Sequence, residues 1–130
     1  MTFSLVARCA KTGMFGVAVA SSSPAVAARC AYTRAGVGAV ASQNVTDPTL
    51  GPLTLDLMAK GMSSTEAIAE IKATKEHLEF RQVLAIDAKG KTAIHSGSNS
   101  LGIWTQAEGC LLYTSPSPRD LSTSRMPSSA

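Results

Sequence analysis

Thr2 to Ala10, TFSLVARCA, alternates at roughly period two and is rich in strand-forming residues. Lys11-Thr12-Gly13 then supplies turn chemistry, and Phe15 to Ser21, FGVAVAS, forms a second run that is nearly all small or apolar. Such a run predicts a strand covered on both faces. The two runs read as an antiparallel hairpin, and Ser21-Ser22-Ser23-Pro24 ends it.

Working outward, Ala25 to Tyr32 (AVAARCAY) is ambiguous between helix and strand, because its alanines favour helix over too short a span. Val37 to Ser42 (VGAVAS) predicts another buried strand. Gly16, Gly36 and Gly38 are expected at bends or close backbone approaches. Asn44 to Gly51 reads as a loop. Pro52 suits the first turn of a helix, with Leu53, Leu57 and Met58 on its inward face and Gly61 as its stop. Ser63-Ser64-Thr65-Glu66 fits the capping box that opens a second helix, and Ala67, Ile68 and Ile71 supply the inward stripe. Gln82 to Asp87 and Lys91 to Ser96 form a final hairpin around Ala88-Lys89-Gly90. Hairpins outnumber crossovers, so the fold class is α/β of the α+β kind: a mainly antiparallel sheet with two packed helices.

At 130 residues the chain is long enough for one domain and too short for two. Its net charge of +3 is scattered, with no basic stripe interleaved with aromatics, so nothing points to nucleic acid. No stretch is long enough to span a bilayer, and Met1-Thr2-Phe3-Ser4 lacks the character of a signal peptide, which makes cytoplasm the expected compartment and a membrane partner unexpected. Cys9, Cys30 and Cys110 have no metal-ligand spacing, and Cys9 and Cys30 read as small buried hydrophobes. His95 has no ligand partner at useful spacing, His77 sits in a polar linker, and no metal or cofactor is expected. Residues 110–130 are dense in Ser, Pro and Thr without periodicity, which predicts disorder. This tail also closely resembles a translated sequencing-adapter read-through, so the domain is expected to occupy residues 1–109 and the native sequence to differ beyond it.

Three blocks carry a family resemblance: Thr2 to Ala7, Gly16 to Ser21, and Arg34 to Gln43. They resemble the TFSIVA, GVAVAS and RAGVGAVATQ blocks of the domain of unknown function 1028 family. Gly51-Pro52, Leu55 to Gly61, Arg81-Gln82 and Asp87 to Gly90 fit the same pattern in the same order. The resemblance covers about residues 2 to 109 and implies a chain about half the family's usual length. It also implies the N-terminal half of an αββα sandwich like that of the N-terminal-nucleophile (Ntn) hydrolases.

An Ntn mechanism needs a Ser, Thr or Cys as first residue, with its own α-amine as general base. The ordinary α-amino pKa of about 7.7–8.0 suits that role. The resemblance puts Thr2 there, after removal of Met1. By element order, the turn after the strand Val37 to Ser42 presents backbone N–H groups to the oxyanion, so Ser42 and Gln43 are candidates, with Asn44 as a side-chain donor. Arg29 is the candidate cation near the amine. Ser22 departs from relatives of the fold that carry Asp there, which weakens a strict proteasome-like reading. The implied activity is C–N bond hydrolysis of a small-molecule or peptide-like amide. The alternative is a binding or scaffold module without turnover. A chain lacking half its sandwich is expected to be inactive, aggregation-prone and given to self-association along exposed sheet edges.

Overall fold

The computed structural model describes residues 1–109 and the backbone strand Leu112–Ser115. Its elements run in the order β1 (Thr2–Arg8), β2 (Phe15–Ser21), α1 (Ala27–Cys30), β3 (Ala31–Arg34), β4 (Gly38–Asn44), α2 (Leu50–Ala59) and α3 (Ser64–Thr74), followed by β5 (Arg81–Asp87), β6 (Thr92–Ser96), β7 (Ala107–Gly109) and β8 (Leu112–Ser115). The strands form two antiparallel sheets, ordered β2-β1-β8-β7 and β3-β4-β5-β6. The expected α+β class is therefore observed.

Register decides which residues meet. In β1, Thr2, Ser4 and Val6 share one face; in β4, Ala39, Ala41 and Gln43 share one, and β5 places Gln82, Leu84 and Ile86 opposite them. Val6, Ala39, Ala41, Leu84 and Ile86 are fully buried and form a core between the sheets, joined by Phe15, Val17 and Ile94. The opposite face of β4 and β5 packs against α2 and α3 through Val40, Val83 and Ala85 with Leu50, Leu55, Ala67, Ile68 and Ile71. Each buried Leu or Ile contributes about 1.5–3 kcal/mol relative to exposure.

Local chemistry explains the elements. The Ser63 hydroxyl accepts from the Glu66 N–H at 3.3 Å while the Glu66 carboxylate accepts from the Ser63 N–H at 2.7 Å, the reciprocal cap expected at the start of α3. These bonds, the backbone one first, hold the Glu66 carboxyl below its usual range. Asp87 is buried and fixes the turn to β6, accepting from the Lys89 and Lys91 N–H groups and from Ser64 N–H. Gly38 meets the expectation of close approach, since a Cβ there would strike the Ile86 carbonyl.

Several readings are resolved or corrected, the first being β2, which is covered on one face only, with Gly16, Ala18 and Ala20 exposed on the other. The ambiguous Ala25–Tyr32 segment is both things, a single helical turn running straight into β3. On α2, Leu50, Thr54, Leu55 and Met58 are buried, and Leu53 and Leu57 pack half-buried against the same core. Cys9 is exposed at the hairpin end, and a hydrogen bond from the Thr12 side chain draws its thiol below the usual value; Cys30 is buried as expected. Within the stretch read as structureless, Leu112–Ser115 pairs with β1. Cys110 and the rest of that tail lie outside the described residues. Among those described, no helix is long and apolar enough to cross a membrane.

Candidate functional site

At the Thr2 end of the sandwich the apolar core gives way to polar side chains. Gln43, Gln82 and Ser96 are direct cross-strand partners on β4, β5 and β6, so the pleat points all three to one face. The Gln43 Nε2 donates to Gln82 Oε1 at 2.8 Å, the Gln82 Nε2 donates to Ser96 Oγ at 3.1 Å, and the Ser96 hydroxyl donates to Gln106 Oε1 at 3.0 Å. Both glutamines are 2% exposed, where an amide survives only by being hydrogen-bonded.

Thr2 faces this row from β1. Its Oγ1 lies 2.9 Å from Ser21 Oγ on the neighbouring strand, and Ser21 Oγ also accepts from the Ser23 N–H at 3.1 Å. That arrangement lets the Ser21 hydroxyl donate to Thr2, leaving the Thr2 proton available for another acceptor. Met1 stands at the rim, with its ammonium donating to Ser22 Oγ at 3.4 Å.

Asn44 ends β4 in the left-handed region at φ 76°, which Asn tolerates better than most residues. Its Oδ1 accepts from the Leu101 N–H at 3.0 Å and so ties the loop after β6 to the end of β4. The bend beyond Asn44 is fixed by Arg81, whose guanidinium donates to the Val45 and Glu76 carbonyls and pairs with Asp47 at 3.4 Å. Thr49 donates to Asp47 from both its hydroxyl and its N–H, and the hydroxyl is the chief cause holding that carboxyl below its usual range.

Between these parts opens a cleft of about 460 Å³. Thr2, Ser23, Gln43, Asn44 and Gln82 form its polar side, and Met1, Leu101, Ile103 and Trp104 its apolar side. No charged side chain is among its described lining residues.

The structure thus brings Thr2, Gln43 and Asn44 together and leaves two other candidates elsewhere. Arg29 is exposed on α1, its guanidinium donating to the Pro24 carbonyl, and it does not line the cleft. Ser42 follows the parity of Val40, so its buried hydroxyl faces the helices and has no hydrogen-bond partner there. Gln82, Ser21, Leu101 and Trp104 were not anticipated. For Gln82 a signal existed: it is a polar residue at the inward parity of an otherwise apolar run, like Gln43.

The family described as "Family of unknown function (DUF1028)" matches residues 2–113. The chain belongs to the DUF1028 family. Among solved structures, a crystal structure of a DUF1028 protein from Silicibacter pomeroyi superposes with a TM-score of 0.83 at 25% identity, over 88% of this chain and 51% of that one. The chain therefore spans about half the length of that relative. No curated protein matches it. The matched DUF1028 region contains every described lining residue of the cleft except Met1.

Proposed function

We propose that the cleft is the active centre of an Ntn-type amide hydrolase, with Thr2 as nucleophile once Met1 is removed. The observation that carries this is the position of Thr2: its hydroxyl is hydrogen-bonded to Ser21 on one side and borders, on the other, a cleft floored by buried amides. In this reading the freed α-amine of Thr2 takes the hydroxyl proton as Oγ1 attacks the amide carbon. The ammonium so formed then returns that proton to the departing nitrogen as the C–N bond breaks. Water, deprotonated by the same amine, cleaves the resulting ester to release the acid and restore Thr2. Gln43, Gln82 and Asn44 line the cleft, and in this reading an amide N–H of one of them receives the developing oxyanion.

One observation favours a second reading. Met1 itself lines the cleft and is anchored to Ser22, and while it remains Thr2 has no free amine. The cleft would then bind a small molecule without turning it over. Intact mass, N-terminal sequencing and labelling with an acylating ester probe separate the two. A chain beginning at Thr2 and acylated there supports hydrolysis. A retained Met1, or an unlabelled Thr2 in folded protein, supports binding alone.

A further inference from the structure

The composition of the cleft wall restricts what can enter. A cation moved into it would lose water, meet no anionic side chain among the described lining residues and face the chain's own N-terminal ammonium at the rim, which is costly. A carboxamide meets the reverse situation. The Gln82 amide has two N–H donors, of which Ser96 takes one; the second has no partner among the described residues, although the side chain is 2% exposed. A buried N–H without an acceptor is a place for a carbonyl oxygen. Across the cleft, Leu101, Ile103 and Trp104 offer apolar surface at 71%, 81% and 39% exposure, held in place through the Leu101–Asn44 bond. One wall is thus suited to an amide and the other to a flat apolar group.

We propose that the cleft selects uncharged amides carrying an apolar, preferably aromatic, group: the amide carbonyl accepts from Gln82 Nε2, and the apolar group packs on Trp104. This names the substrate class for the hydrolase reading and rests on it only for the chemistry, not for binding.

Trp104 is the only tryptophan of the chain, so its fluorescence reports occupancy directly. The chain is titrated with phenylacetamide and 2-phenylethylammonium, which share shape and differ in charge. Phenylacetamide is expected to change the Trp104 emission saturably and to bind at least about tenfold tighter than the cation. Gln82→Leu is expected to remove that preference, and Ser42→Ala, outside the cleft, to keep it. Equal or tighter binding of a charged probe, or no saturable change with phenylacetamide, overturns the proposal. Selectivity that persists in a chain whose Thr2 is never acylated refutes the hydrolase reading and leaves the substrate class standing. Acylation of Thr2 without selectivity does the opposite.

Discussion

Replacing Gln82 with Leu tests whether the amide row is a coupled unit. Leu approximates the side-chain volume but neither accepts from Gln43 nor donates to Ser96, so the 2.8 Å and 3.1 Å bonds are both lost. Ser96 is half-buried and keeps its bond to Gln106, which makes its loss small. The main cost falls on Gln43, whose Nε2 loses the Gln82 acceptor at 2% exposure, and amounts to about 1–3 kcal/mol. For a chain of this size that corresponds to roughly 4 °C of Tm per kcal/mol. Gln43→Leu strands the Gln82 carbonyl oxygen and is expected to cost a similar amount. The double variant removes both ends of the bond, so its destabilisation should fall short of the sum of the singles by about 1 kcal/mol or more. Urea unfolding at low micromolar protein, with equal m-values across the four chains, measures the cycle. Strict additivity would mean that the two amides do not depend on each other, and the reasoning about the floor of the cleft would be wrong.

Ser42→Ala should be neutral or slightly stabilising and leave probe binding unchanged, because it removes a buried hydroxyl that has no partner and faces the helices; weakened binding would put Ser42 back in the site. Asp47 titrates below its ordinary value of 3.8 in the folded chain, so it adds stability above that value that is lost as pH falls through the lower folded one. The stability gap between the native chain and Asp47→Asn should therefore shrink on acidification, and a pH-independent gap would contradict this. Ala20, exposed on the outer face of β2 opposite Phe3, should accept Lys without loss of stability and with less self-association in sedimentation velocity; a marked destabilisation would show that this face is covered.

The hairpins, both main helices and the α+β class were legible because period, turn residues and the capping box all act locally. Thr2, Gln43 and Asn44 were legible through resemblance and element order. Arg29 was misplaced because nothing local dictates which way a side chain on a single helical turn will point. The Ser42 side chain turns to the helix layer by parity, since one step along β4 separates that layer from the cleft, and this leaves its expected role as a backbone donor aside. The loop residues Leu101 and Trp104 join the site through long-range bonds such as Asn44–Leu101, which bridges 57 positions of sequence and leaves no local trace.

The register of Gln43, Gln82 and Ser96 has a consequence for how such a cleft can diversify. The amide floor is locked to the pairing of three strands, so inserting or deleting one residue in β4 or β5 would turn it to the opposite face and bury carbon where the amides stand. The wall formed by Leu101, Ile103 and Trp104 stands on an exposed surface loop, where changes of length and residue are cheap. Within this architecture, descendants could exchange the group they hold against the wall while inheriting the same grip on the amide.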